Sequence, residues 1–344
     1  MSKHRHKGKN RKGAFVTSTT ALILFAIYAM LGEWFVHHSR AWLDRYENRY
    51  PAIAGALEAV GNPVGDLTDS LGLTGHDCVY EYDTAAPKGD VLFAGEPVRE
   101  SFPAPRDIET LDRGEFKIGW SPSLRRPVWV AYHVVPDCKN YSNDRPNFVR
   151  DTQVKNCPTP DMYTNSGYDR GHMAPNHAIY SRYGMDAQRR TFFMSNIAPQ
   201  TAELNRGPWR ELEHRIADMW TQRYGEVWVI VGSLGDRARP QGKEKILPGI
   251  TIPEYFYMLV VAQEGMDVRA LAVLLPQDVK YRTYPARYLI SIDDLEEMTG
   301  FDFLPDLPSF IASPLEAQLP TRLWPVAFSD AINLIISRFE TANY

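Results

Sequence analysis

Three short segments crowd polar side chains where a fold would have no need of them. Asp169-Arg170-Gly171-His172-Met173-Ala174-Pro175-Asn176 is the first, and Ser195-Asn196-Ile197-Ala198-Pro199-Gln200, ending an apolar run, is the second. The third, Leu204-Asn205-Arg206-Gly207-Pro208-Trp209, opens a helical pattern that carries Glu213. An imidazole titrates at roughly 6.5 when unperturbed, so His172 can be a neutral base at working pH. Asn205 contributes a neutral amide that can offer an oxygen. Glu213 follows eight residues later. The same residues also allow structural readings: a histidine satisfied in a turn, a helix N-cap at Asn205 and a solvated surface glutamate.

The order and spacing of D-R-G-H, S-N-I-A-P-Q and L-N-R-G-P-W-R-E-L-E resemble the signature of the DNA/RNA non-specific endonucleases. That family includes mitochondrial endonuclease G and secreted bacterial sugar-non-specific nucleases. Val231-Gly232-Ser233 resembles its V-x-G-P strand end, with Ser233 where proline is usual, and Ile252-Pro253-Glu254-Tyr255-Phe256 resembles its I-P-x-x-F strand. Ile290-Ser291-Ile292-Asp293-Asp294-Leu295-Glu296 and Thr299-Gly300-Phe301-Asp302-Phe303 resemble its closing helix, so the likeness covers roughly residues 90–310.

The resemblance implies a ββα-metal core in which His172 is the general base and Asn205 the single protein ligand of Mg2+, with Mn2+ as a substitute. Glu213 would hold a metal-bound water, and Asn196 and Gln200 would brace the site. Arg145-Pro146-Asn147-Phe148-Val149-Arg150-Asp151 matches the family's R-x-x-F-x-x-D. Arg145 is the first choice, and Arg150 the second, for a guanidinium facing the spreading charge of a phosphate. Asp169 and Arg170 read as a supporting pair that orients the turn, with a phosphate contact by Arg170 as the alternative. DNA and RNA would be the substrates, with 5′-phosphate and 3′-hydroxyl ends as products; a homodimer is allowed and no small-molecule cofactor is required. A silent binding protein on the same fold and a small-nucleotide phosphodiesterase are the competing functions. A zinc site among His133, His172, His177 and His214 lacks any H-E-x-x-H or C-x-x-C, and no phosphate-cradling G-x-x-x-x-G-K-[ST] loop occurs.

These segments need elements to position them. Residues 128–135, 191–198, 227–234, 255–262 and 268–275 read as strands, rich in β-branched and aromatic side chains. Trp209, Leu212, Ile216, Met219 and Trp220 fall at helical spacing in a helix over 206–224, stopped by Gly225. Weaker helices are predicted at 292–299 and 329–339. The motifs then suggest a hairpin from about 172 to 197 packed on a helix that starts at Asn205. Strands outnumber helices without βαβ alternation, which predicts an α+β fold on a mixed, largely antiparallel sheet; the family core is the ββα-metal (His-Me finger) type.

The chain has 344 residues, 44% hydrophobic and 23% charged, which excludes whole-chain disorder, and its three cysteines are too few for a disulfide scaffold. Cys138 and Cys157 are spaced to pair in an oxidising compartment, leaving Cys78 over. The net charge of −4 divides into +6 over the first twelve residues and −10 beyond them, with a local +5 over residues 113–225. Any nucleic-acid contact must therefore use a local patch.

Residues 1–13 form the basic segment, and the uncharged run beginning at Ala14 is long enough to span a bilayer. Trp34 and Phe35 follow it, so residues 14–36 read as a transmembrane anchor or a cleaved signal, 37–76 as a spacer and 77–344 as the nuclease domain. The positive-inside pattern puts that domain outside the cytoplasm, with secretion or a mitochondrial inner membrane as alternatives.

Overall fold

The computed structural model describes residues 80–81, 90–136, 145–237, 247–264 and 267–326. The anchor segment 14–36, Cys78, Cys138 and the helix predicted at 329–339 lie outside the described residues. Among the described residues, no helix is long and apolar enough to cross a membrane. Cys157 is a free, buried thiol, and burial pushes its pKa up to about 11.

Five strands precede the first polar segment: β1 (Tyr80–Glu81), β2 (Val98–Arg99), β3 (Glu109–Asp112), β4 (Phe116–Ser121) and β5 (Arg126–Val134). Then come β6 (Asp169–His172), β7 (Ile197–Gln200), β8 (Val227–Leu234), β9 (Tyr255–Glu264), β10 (Asp267–Pro276), β11 (Leu289–Ile290) and β12 (Phe301–Asp302). The main sheet runs β1-β10-β9-β8-β5-β4-β3, with β11 added to β10. Every pairing in it is antiparallel, in keeping with the largely antiparallel sheet the sequence predicts.

Every residue of β5 is buried, because apolar layers cover both faces of the sheet. Alternate side chains serve the two layers. Val130, Tyr132 and Val134 join Met194, Ile197, Trp209, Leu212 and Ile216 on one face, while Trp129 and Ala131 join Trp228, Leu295 and Ile311 on the other. The polar segments all attach to the first face.

There β6 and β7 pair antiparallel, His172 opposite Ile197 and Asp169 opposite Gln200. The strands meet as the motifs suggest, but the connection is not a hairpin turn. Helices α1 (Asn176–Tyr183) and α2 (Met185–Thr191) fill it. The strand predicted over 191–198 begins only at Ile197, after a 3-10 turn over Met194–Asn196. Side chains explain the delay: Ser195 and Asn196 bond to other segments, and such side-chain bonds compete with a ladder.

Beyond β7 come α3 (Ala202–Arg206) and α4 (Pro208–His214). The second continues through a π-helical stretch, Arg215–Trp220, into a last turn, Thr221–Tyr224, and stops at Gly225, whose φ is +80°. α5 (Ile292–Thr299) matches the predicted bounds, and α6 (Ser309–Glu316) completes the described elements.

Candidate active site

β6 ends on His172, whose half-buried ring stands between Phe148 and Phe192, with centroids 5.2 Å and 4.8 Å away. The Arg145 guanidinium lies 5.4 Å over the Phe192 ring, and that of Arg170 lies 5.4 Å over Phe148. Burial is the main cause, with the charge of Arg145 second, that pulls the His172 pKa down to about 3. The imidazole is therefore neutral at any working pH. Among the described residues, its buried Nε2 has no hydrogen-bond partner.

The arginine segment reaches this place through the backbone. Val149 N–H donates to the Phe192 carbonyl (3.1 Å) and Met194 N–H to the Val149 carbonyl (2.9 Å). Buried Asp151 closes the join, accepting from Ser195 Oγ at 2.6 Å and pairing with Arg113. Of the two arginines proposed, both exposed, it is Arg145 whose charge acts on His172.

Asn205 sits in the last turn of α3 and is not its N-cap. Thr201 is the cap, accepting from Leu204 N–H at 3.3 Å. Thr201 is itself fixed by buried Gln277, which accepts its N–H (2.8 Å) at Oε1 and its hydroxyl (2.6 Å) at the backbone carbonyl. Asn205 Nδ2 donates to Asp169 Oδ2 at 2.9 Å, and Arg206 donates to both Asp169 oxygens at 2.8 Å. Among the described residues, Asn205 Oδ1 has no hydrogen bond.

Asp169 thus pairs with Arg206 and Asn205, correcting the expected pair with Arg170. Neighbours along a strand point to opposite faces. Arg170 turns away to the Pro160 carbonyl (2.7 Å from Nη2) and to Thr164 Oγ1 (3.2 Å). Burial alone would raise the Asp169 pKa; the hydrogen bonds from Arg206 and Asn205 outweigh it and hold the carboxyl below its ordinary value.

Asn196 is fully committed to bracing. Its Oδ1 accepts from Ala174 N–H (2.9 Å), and its Nδ2 donates to the carbonyls of Ala174 and Thr191, both at 3.0 Å. It pins the chain just after His172. Gln200 lies over Gly171, where a Cβ would come within 2.1 Å of its Oε1. Among the described residues, both Gln200 amide atoms, like Asn176 Oδ1, are buried without partners.

Glu213 is half-buried. Burial pushes its pKa up to about 8, against the opposing pull of Trp209 and Arg210. Its charge acts on Tyr132, whose buried hydroxyl on β5 has no partner among the described residues.

His177 and His214 meet at Asp218, at 3.0 Å and 2.6 Å, and His133 faces Glu226 at 3.2 Å. The histidines therefore do not gather around His172. Among the described residues, one trio of carboxylates, Asp293, Glu296 and Glu316, stands close enough to share a cation, and it belongs to α5 and α6 on the other face of the sheet. The residues that sequence reading missed are the walls and clamps: Phe192, Thr201 and Gln277. Phe148 and Asp151 lay inside a quoted motif but carried no assigned role.

Residues 94–310 match the family model for DNA/RNA non-specific endonuclease. A nuclease from Nostoc sp. is 30% identical over 223 residues, covering 60% of this chain and 77% of that protein. The mitochondrial nuclease EXOG of Xenopus laevis is 29% identical, over 55% of this chain and 56% of its own length. Human mitochondrial endonuclease G is 26% identical, over 62% and 74% respectively. The fold is also that of a chain in the crystal structure of the EndoG/EndoGI complex, with a TM-score of 0.52 at 23% identity, covering 61% of this chain and 90% of that one. The chain belongs to the DNA/RNA non-specific endonuclease family and is a hydrolase acting on phosphodiester bonds.

Proposed function

We propose that the protein is a Mg2+-dependent endonuclease that cuts DNA and RNA with little regard to sequence. The observation that carries this reading is the placement of His172 at the end of β6, its Nε2 buried and unpartnered among the described residues, its ring walled by Phe148 and Phe192, and Arg145 over Phe192. Such a ring takes a proton from water, and the guanidinium faces the charge that spreads over the phosphate.

The residues present suit a hard cation. Asn205 offers an oxygen on a clamped helix, and ionised Asp169 holds its amide nitrogen. The unpartnered amide atoms of Gln200 and Asn176 suit ordered water. Asn205 would hold Mg2+, or Mn2+ in its place, and the ion would supply charge stabilisation for the phosphate and the departing 3′ oxygen. Glu213 orients water at the site, while Asn196 and Gln200 keep β6, β7 and the chain after His172 in place. Contacts to phosphate and sugar carry no base information, which accounts for the low specificity. We assign the nuclease body to residues 77–344 and the membrane anchor to residues 14–36, with the body outside the cytoplasm; hydropathy and charge support that placement.

The test is the Mg2+ dependence of plasmid cleavage by Asn205→Ala. The Mg2+ needed for half-maximal rate should rise at least tenfold, or cleavage should vanish, and Asn205→Asp should keep activity with an altered preference between Mg2+ and Mn2+. An unchanged Mg2+ requirement in Asn205→Ala would remove Asn205 as the ligand.

A further inference from the structure

A tight turn far along the chain stands beside the residue assigned to the metal. Lys280 to Thr283 form a β-turn, closed by Thr283 N–H donating to the Lys280 carbonyl at 3.0 Å, with Tyr281 and Arg282 as its central pair. Lys280, Tyr281 and Arg282 are exposed, whereas Gln277, Val279, Thr283 and Tyr284 on either side are buried. The turn is thus a fixed base with a solvent-facing tip of two cations around an aromatic ring.

Two sets of contacts set its position. Gln277 ties the start of the turn to Thr201, the cap of α3, and to the Pro199 carbonyl in β7 at 2.8 Å. The tip then packs on the break between α3 and α4: a Cβ on Gly207 would lie 2.4 Å from the Tyr281 carbonyl oxygen and 2.9 Å from its Cα. Gly207 is two residues from Asn205, and Arg206 between them grips the same Asp169 as Asn205 does. Gly207 thereby lets the turn come as close to the site as backbone allows.

We propose that this turn is a strand-holding subsite for an unpaired nucleotide next to the scissile phosphate. The Tyr281 ring stacks on its base, and Lys280 contacts an adjoining phosphate. An aromatic face accepts every base alike, so the subsite adds affinity without sequence preference. A base inside a duplex hides its face, so the gain falls on single strands and frayed ends. This proposal rests on the nuclease reading above.

The experiment compares the full chain with Tyr281→Ala, Tyr281→Phe, Tyr281→Leu and Lys280→Ala in Mg2+. The substrates are a single-stranded oligonucleotide, its duplex and bis(p-nitrophenyl) phosphate, which carries no nucleotide beyond the scissile phosphate. Tyr281→Ala should raise KM for the single strand five- to tenfold. The ratio of single-strand to chromogenic kcat/KM should fall by the same factor, and the duplex should suffer less. Tyr281→Phe should stay within twofold of wild type on every substrate, and Lys280→Ala should raise KM two- to threefold with a shallower salt dependence. Tyr281→Leu keeps the bulk without the ring and carries the comparison if the alanine variant melts early. A single-strand KM within twofold of wild type in both ring-less variants overturns the proposal. So does an equal loss on all three substrates, which would mean that the turn acts only by packing on Gly207. Wild-type protein that cuts none of them overturns the nuclease reading itself.

Discussion

His172 owes its neutrality to desolvation between Phe148 and Phe192, not to a hydrogen-bonded partner. Glu213 is the matching case with opposite charge sense: its folded pKa of about 8 lies above the ordinary 4.5. Between those values the folded state holds a proton that the unfolded chain has lost, so the stability is full below 4.5 and declines as pH rises through 8. Glu213→Gln keeps the shape and removes the titration. In chelator, its melting temperature should exceed wild type by about 5 °C at pH 8.5, with the gap closing near pH 4.5. A gap that does not vary with pH would mean that the carboxyl is solvated. At this scale the chemistry-bearing types were legible, since His172 and Asn205 stand in spaced polar segments. Their surroundings were less so. Phe192 lies in an apolar run like any core aromatic, and Asp169 and Arg170 are adjacent in sequence yet face opposite sides of a strand.

The elements were legible wherever period and stop signals agreed, as in β8 and in α5, which Ser291 caps and left-handed Gly300 ends. They were not where side chains took over the backbone's bonds, as between α2 and β7. Nor can local pattern reveal that Thr201 is held by Gln277, 76 residues away. Ser233, standing where the family has proline, has a physical reason: its hydroxyl accepts from fully buried Arg126 at 2.6 Å and donates to the Pro127 carbonyl at 2.9 Å. The break between α3 and α4 makes a sharper test. Gly207 has φ −101° and ψ −115°, and an added Cβ would meet the Glu203 and Tyr281 carbonyl oxygens, each at 2.4 Å. Exchanging glycine for alanine in an ordinary helix stabilises it by up to ~1 kcal/mol. Here Gly207→Ala should instead lower the melting temperature by several degrees and cleavage by at least tenfold, because α3 must move and carry Asn205 with it. A variant as stable and as active as wild type would show that the break tolerates a side chain.

Over the whole molecule, charge sets the terms of substrate capture. Residues beyond the first twelve sum to −10, but residues 113–225, which supply the exposed Arg145, Arg206 and Arg210, sum to +5. A polymer held by so local a patch should be held weakly and salt-sensitively. The antiparallel sheet carries α4 on one face and α5 on the other. The most direct measurement is plasmid nicking by the full chain at low and at physiological salt, with Mg2+ and with chelator, beside His172→Ala. The account expects nicking that needs the metal, weakens as salt rises and falls at least a hundredfold in the variant. Metal-independent nicking, or a His172→Ala protein that is folded and cuts as fast as wild type, would contradict it.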